Sequence, residues 1–308
     1  MKNLKNGLLL NDESKLQQFL TLRTVGLGLL SFIIVLLFMP LGHALMVLNE
    51  KILLNHKLLG AGLIGAIGLF CLIVGLNIQK NQTAMALLGL IAGVLVWTGW
   101  IEFSFVWIAD KLEVMPYMEN GEVATKPEYL IMPSSIGILA AMCLLFIFSD
   151  TRCQFYVWIQ KILRIKKSIA VQSKQKKPIV ITTFIETIMI IWTFYIVLLL
   201  VYDGNIAGDR HPLTYITAFG SLAWSFYLIF NLFKISRFDY SIRYAIPTVV
   251  IFWNFIEILG RWDLFKEIWI HPFEYKMEII LTTLLLIFLI GLLVYNTKKG
   301  NLKIKNSI

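Results

Sequence analysis

The sequence predicts an all-α, polytopic membrane protein with eight transmembrane helices arranged as two parallel four-helix repeats. Of its 308 residues, 58% are hydrophobic and only 15% are charged, which is far from the balance of a soluble globular domain. Apolar runs of 17 to 25 residues recur along the chain. Each run is long enough to cross about 30 Å of hydrocarbon as a helix. A membrane barrel would instead show short segments of alternating hydrophobicity, so the composition favours a helical bundle.

The predicted transmembrane helices divide the chain into two halves. In chain order they cover 24–47, 58–77, 84–108, 130–149, 179–202, 213–233, 244–260 and 277–296. The corresponding regions are an amphipathic N-terminal tail (1–23), a first repeat (24–149), a basic linker (150–178), a second repeat (179–296) and a basic C-terminal tail (297–308). Because each repeat has an even number of spans, the halves would be parallel and related by an axis along the membrane normal.

The linker contains a further short amphipathic pattern. Apolar residues recur at helical spacing, with lysine and arginine residues between and after them: Phe155, Trp158, Ile159, Ile162 and Leu163. This pattern is typical of a helix that lies in the lipid headgroup layer. The linker is therefore interpreted as a basic segment tethered to lipid, with nucleotide or partner binding as alternatives.

The distribution of lysine and arginine predicts the orientation. They concentrate in the two tails, at Lys80, in the linker and between Lys234 and Arg243, whereas acidic residues concentrate in the other connections. The positive-inside rule then places both termini in the cytoplasm and the protein in the inner (plasma) membrane. The net charge of +9 is explained by anionic lipid headgroups, without nucleic acid. The lipid bilayer is the expected partner, another membrane protein is a further candidate, and the oligomeric state is left open.

A set of polar residues recurs once in each half. The His-to-Glu separation is 46 residues in both halves, and a Glu-Tyr pair follows: His56, Glu102 and Glu128-Tyr129 correspond to His211, Glu257 and Glu274-Tyr275. At 1.5 Å per residue, Glu102 would lie about 27 Å and Glu257 about 21 Å along their helices, in the outer part of the bilayer. Ionisable groups are expensive there, which indicates a functional site.

Two roles follow for this set. Glu102 and Glu257 are the candidate catalytic acid–base residues. Four glutamates and two histidines are also the ligand inventory of dinuclear iron or manganese sites in helix bundles, so the candidate metal ligands are His56, His211, Glu102, Glu257, Glu128 and Glu274. The chain lacks the Glu-x-x-His spacing of those sites, so two mononuclear sites or no metal site remain alternatives.

Structural roles compete with these functional ones. Each intramembrane glutamate could simply hydrogen-bond to a neighbouring helix, and each histidine could cap one. Glu128 and Glu274 open helices, where a carboxylate suits the helix dipole. His43 and His271 have no counterpart in the other half and are treated as accessory. For Glu186, in the inner part of its helix, a hydrogen bond with a nearby threonine or tyrosine is expected.

Two functional classes are consistent with this pattern. The first is a membrane enzyme at the outer face, acting on a lipid-like or periplasmic substrate with paired glutamates or a metal. The alternative is a small-solute or ion transporter or channel that uses the paired glutamates. The polar groups lie mainly on one side of the membrane, which favours the enzyme. An assembly or sensory role is a third class.

Overall fold

The computed structural model describes residues 21–78, 81–119, 122–148, 154–164 and 178–305. The predictions for the N-terminal tail up to residue 20, for Lys80, for 165–177 of the linker and for the last three residues lie outside these ranges. Side chains are described for fewer residues, because those of 119, 122–124, 154 and 296–305 are left out.

Nine helices account for most of the described residues. They are α1 Leu22–Ile52, α2 Lys57–Asn77, α3 Gln82–Lys111, α4 Pro127–Phe148, α5 Gln154–Ile162, α6 Ile179–Tyr202, α7 Pro212–Leu232, α8 Phe238–Arg261 and α9 Lys276–Lys305. Within the described ranges, all except α5 are long and apolar enough to cross a membrane. The eight predicted membrane-length helices are thereby confirmed. A small antiparallel hairpin of β1 Tyr117–Glu119 and β2 Glu122–Thr125 was not predicted.

Polar side chains fix where several helices begin. Before α1, the Thr21 hydroxyl accepts from the Thr24 amide at 3.2 Å, and the Thr21 amide donates to the Thr24 hydroxyl at 3.1 Å. This capping box satisfies donors that the first helical turn leaves free. Asn81 caps α3 in a similar way, with its Oδ1 3.1 Å from the Ala84 amide. These caps explain why α1 and α3 begin two residues before the predicted apolar runs.

Four helices form the centre of the bundle. α3 packs along α6, and α8 packs along α1, while α2 lies against α3, α7 against α8, α4 against α3 and α6, and α9 against α1. Each central helix carries a side chain that is almost completely buried: Ile34, Leu90, Ile190 and Ile246. The peripheral helices instead expose large apolar groups such as Phe70, Leu145, Phe226 and Phe288. An apolar surface of this kind suits a lipid environment.

Ion pairs tie the connections together at one end of the bundle. This distal end is formed by residues 53–56, 112–119, 122–126, 203–211 and 262–275. Arg261 reaches Asp209 with its Nε 2.9 Å from Oδ2, Lys126 Nζ lies 3.6 Å from Glu50 Oε2, and Lys57 pairs with Asp110. At the opposite end, Arg237 donates to Gln82 Oε1 at 2.5 Å. The helix ends are therefore held together by contacts between connections that are distant in the sequence.

The short helix α5 packs on other helices. Its Phe155 ring lies 5.7 Å from that of Phe194 in α6, and its Trp158 ring lies 5.4 Å from that of Trp224 in α7, between ring centroids. Tyr156 is almost completely buried, and its hydroxyl lies 3.3 Å from Cys143 Sγ. The sequence pattern predicted a helix here and placed its aromatic face in lipid headgroups. In the structure that face contacts the middle of α6 and α7.

Candidate functional site

A cavity lies among the four central helices, toward the distal end. Its lining combines ionisable, aromatic and amide side chains, namely Phe38, Met39, Gly42, His43, Val94, Trp97, Thr98, Glu102, Ile191, Tyr195, Leu198, Val250, Trp253, Asn254 and Glu257. The space has room for about four water molecules. Both glutamates singled out from the sequence as candidate catalytic residues therefore line one small cavity.

Glu257 is held by two side chains. Trp253, one turn earlier on α8, donates its indole N–H to Glu257 Oε1 at 2.6 Å. His43 of α1 places its Nε2 3.4 Å from the same oxygen. A residue four positions away on a helix lies on the same face, which is why the indole reaches the carboxylate. The Glu257 carboxylate is thus fixed in place between α8 and α1, with its side chain 20% exposed.

Glu102 is the more deeply buried carboxylate, and only 3% of the residue is exposed. The Tyr195 hydroxyl of α6 donates to its Oε1 over 3.4 Å, which is a long hydrogen bond. The Tyr195 ring also packs against that of Tyr129, at the start of α4, with ring centroids 5.7 Å apart. The contacts of Glu102 with other helices therefore run to α6, and through Tyr195 to α4.

His43 connects the two carboxylates. Its ring is stacked between Tyr195 and Trp253, with centroid separations of 6.3 and 6.5 Å and interplanar angles of 27° and 19°. It interacts electrostatically with both Glu257 and Glu102. One basic side chain therefore stands between two acidic ones inside an aromatic enclosure.

Helix irregularities lie beside the cavity. Trp97–Glu102 forms a π-helical segment within α3, and such segments are frequent at functional sites. Gly99 lies against the backbone of α2, so that an added Cβ would come within 2.7 Å of the Ala61 carbonyl. The Trp100 indole donates to the Gly62 carbonyl at 3.2 Å. Close packing and this hydrogen bond therefore hold the π-helical segment against α2.

The connection between α8 and α9 covers the distal side of Glu257. Trp269 packs on Trp253, with ring centroids 4.9 Å apart. The Glu267 carboxylate lies directly against Gly260, where any larger residue would place its Cβ. Burial, followed by the negative charge of Glu257, raises the pKa of Glu267 to about 7. The α8–α9 connection thus brings a third carboxyl group, that of Glu267, close to the cavity.

The other four predicted ligands do not line the cavity. His56 is exposed in the turn before α2, and the exposed His211 caps α7, with its Nδ1 3.2 Å from the Leu213 amide. Glu274 is exposed and lies 3.8 Å from His271 Nδ1. Glu128 is buried at the start of α4, 3.8 Å from Lys126 Nζ.

No metal-ligand cluster is assembled in the described part of the chain. Residues 21–78, 81–119, 122–148, 154–164 and 178–305 contain no group of three or more His, Cys, Asp or Glu side chains that could hold a metal ion. The predicted iron or manganese centre therefore lacks support, because its six candidate ligands are spread over the cavity and the distal surface.

Three of the lining residues were missed from the sequence or left as accessory. His43 was set aside because it has no counterpart in the second half, although a histidine near the end of an apolar run is itself unusual. Tyr195 lies in a continuous apolar stretch and resembles an ordinary aromatic residue there. Asn254 precedes Glu257 by three residues, a spacing that puts both on one face of a helix. That spacing was the signal that could have identified it.

The inner polar residue Glu186 has a different partner from the one expected. Arg243 of α8 donates Nε–H to Glu186 Oε2 at 2.9 Å, and its Nη2 pairs with Oε1. Both side chains are at least 90% buried. The sequence pattern had placed Arg243 among the basic surface residues, so a bidentate ion pair between α6 and α8 was not predicted.

No family model matches this chain, and neither the curated proteins nor the solved structures compared with it give a match.

Proposed function

We propose that the cavity binds a small organic cation, such as an alkylammonium ion, and that the protein carries this solute across a membrane. The observation that carries the proposal is the pairing of Glu102 and Glu257 in one small, aromatic-lined cavity. This is the second of the two classes that the sequence left open.

The charges of the cavity favour a cationic ligand. Two carboxylates line it, whereas His43 is the one lining residue that can carry positive charge. The site is therefore net negative when both glutamates are ionised. Buried charges need compensation, and a monovalent cation would supply it. The faces of Trp97, Tyr195 and Trp253 suit an organic cation, because aromatic rings attract ammonium groups.

The size of the cavity limits the solute. Space for about four water molecules accommodates a ligand of roughly four non-hydrogen atoms. A lipid or isoprenoid chain would not fit within it. The outer-face enzyme expected from the sequence would therefore have to hold most of a lipid-like substrate elsewhere.

Transport is supported by the helices that line the site. α3 changes to a π segment beside the cavity, and Pro40 of α1 and Pro247 of α8 each remove one backbone N–H donor within a continuous helix. Transporter sites are often built where helices depart from regular geometry, at the interface between repeats. Below the cavity, Ile191 and Val250 and then the Glu186–Arg243 ion pair separate it from the opposite end. That arrangement suits a site open toward one side at a time.

The two parallel four-helix repeats are part of the same proposal. The main packing relations stay the same when each helix of the first half is exchanged with its counterpart in the second: α1 with α6, α2 with α7, α3 with α8 and α4 with α9. For example, α3 lies along α6, and α8 likewise lies along α1. The exchange also interchanges the helices that carry Glu102 and Glu257. We further propose that the distal end faces outward from the inner membrane, with both termini cytoplasmic, as the sequence predicts.

Calorimetric binding of ethylammonium chloride to the detergent-purified protein tests the site. Glu102→Gln and Glu257→Gln should each weaken binding by at least about 30-fold, because removing one partner of a buried charge pair costs about 2–5 kcal/mol. Glu274→Gln is the matched control, since that carboxylate is exposed and outside the cavity. Unchanged affinity in the first two variants would refute the assignment. Ethylammonium flux into proteoliposomes then tests transport, and binding without flux would exclude it.

An acid–base enzyme remains the second candidate because of the Glu257–His43 pair. A carboxylate that orients a histidine is a common arrangement for proton transfer. The two candidates differ in the fate of the ligand. Nuclear magnetic resonance of the amine after prolonged incubation with the protein should recover it unchanged for a transporter, whereas new resonances would indicate catalysis.

A further inference from the structure

Asn254 lines the cavity with an unused hydrogen-bond donor. The residue is 2% exposed, and within the described part of the chain its Nδ2 has no hydrogen-bond partner. It lies one turn before Glu257 on α8, so the amide and the carboxylate share a face of the helix. Both residues line the same cavity.

A buried donor without a partner is costly. An unsatisfied buried N–H group loses its hydrogen bond to water and gains none in return, and most native structures avoid it. The neighbouring polar group on α8 cannot help, because the Trp253 indole is a donor that already serves Glu257. Among the described residues no acceptor reaches Asn254 Nδ2, and Glu257 on the same helix accepts from Trp253 instead, so an acceptor for Asn254 has to come from what occupies the cavity, either water or the ligand.

The spacing of the two residues defines a ligand with two ends. A rise of 1.5 Å per residue separates Asn254 from Glu257 by about 4.5 Å along the axis of α8. An ammonium group beside Glu257 would place an oxygen two carbons away close to Asn254. We propose, on the basis of the proposed function, that Asn254 is a specificity residue. Its amide would donate to the hydroxyl group of a hydroxyalkylammonium ion such as ethanolamine, so that the site binds this ion in preference to a plain alkylammonium ion.

Ethanolamine and n-propylamine provide a direct comparison. Both have four non-hydrogen atoms and both are cations at neutral pH, so they differ in a hydroxyl group against a methyl group. The wild-type protein should bind ethanolamine about threefold to tenfold more tightly in calorimetric titrations, the range expected for one hydrogen bond. Equal affinity, or a preference for n-propylamine, would overturn this inference and leave the proposed function intact.

Substitution of Asn254 completes the test. Asn254→Leu keeps the shape of the side chain and removes its donor, so the preference for ethanolamine should disappear. Asn254→Ala serves the same purpose if the leucine variant is not monodisperse. Asn77→Leu, at an exposed position at the end of α2, should keep the wild-type preference. A preference that survives loss of the Asn254 amide would overturn the inference, because another group would then set it. Failure of both amines to bind the wild-type protein would overturn the proposed function and this inference together.

Discussion

Individual residues in the cavity show what the sequence could and could not predict. Glu102 and Glu257 were identifiable because a carboxylate in an apolar run is rare and expensive. His43 was not identifiable in this way, because it has no counterpart in the second half and the candidate residues were those that recur in both halves. The partners of the site are supplied by three-dimensional packing between α1, α3, α6 and α8. No spacing along the chain encodes that packing.

Glu267 should make stability depend on pH. Its pKa is raised from 4.5 to about 7, first by burial and then by Glu257, while His43 and Arg261 act in the opposite direction. The folded protein therefore holds this proton more tightly than the unfolded chain. Stability should fall as the pH rises from about 4.5 through 7, because ionisation is then forced on a buried carboxyl group. Differential scanning fluorimetry between pH 5 and 8 measures the slope.

Glu267→Gln should remove part of that slope, because the amide does not ionise. Glu274→Gln changes an exposed carboxylate on the same connection and should retain the wild-type dependence. An undiminished slope in Glu267→Gln would mean that other groups cause it.

For the secondary-structure elements, the apolar runs of the sequence predicted the lengths of the helices but not their irregularities. Hydropathy predicts that α3 crosses the membrane, but the π segment depends on how Gly99 and Trp100 meet α2. The hairpin β1–β2 is similarly held by its surroundings, since Thr125 accepts from Arg261 Nη2 at 3.2 Å. Contacts between elements decide these local shapes.

Gly99→Ala should destabilise the α2–α3 pair by about 1–3 kcal/mol, the usual cost of overpacking. The new methyl group would meet the backbone of α2, which cannot move as a side chain can. Gly62→Ala is the matched control, because nothing lies within 4 Å of its Cβ position. That change should be neutral or slightly stabilising. Thermal unfolding in detergent compares the two, and equal effects would argue against the close packing at Gly99.

The whole molecule carries charge of both signs at its distal end. Acidic residues concentrate there in the sequence, yet Lys57, Lys126 and Arg261 are at the same end and pair with carboxylates. The paired carboxylates balance the positive charge of these three side chains. The basic excess then falls at the opposite end and in the tails and linker. The predicted orientation therefore depends on the basic residues of the tails, the linker and the α7–α8 connection.

Cysteine labelling in intact cells tests the orientation. In a variant with the native cysteines replaced by serine, Met115→Cys and Leu264→Cys should react with an impermeant maleimide, because both positions are exposed at the distal end. Ser173→Cys, in the basic linker, should react only after the cells are permeabilised. Labelling of Ser173→Cys from outside would reverse the orientation and place the cavity toward the cytoplasm.

The π segment of α3 bears on the evolutionary origin of the chain. If the halves arose by duplication of one gene, the ancestor was a homodimer with two identical glutamates facing each other across a twofold axis. In the present chain α8 continues as an α-helix through Glu257, whereas α3 widens just before Glu102. A homodimer cannot acquire such a difference, because one codon change alters both copies. Under such a duplication, fusion of the genes would have removed that constraint, and only an unsymmetrical site can hold a ligand with two different ends in a single orientation.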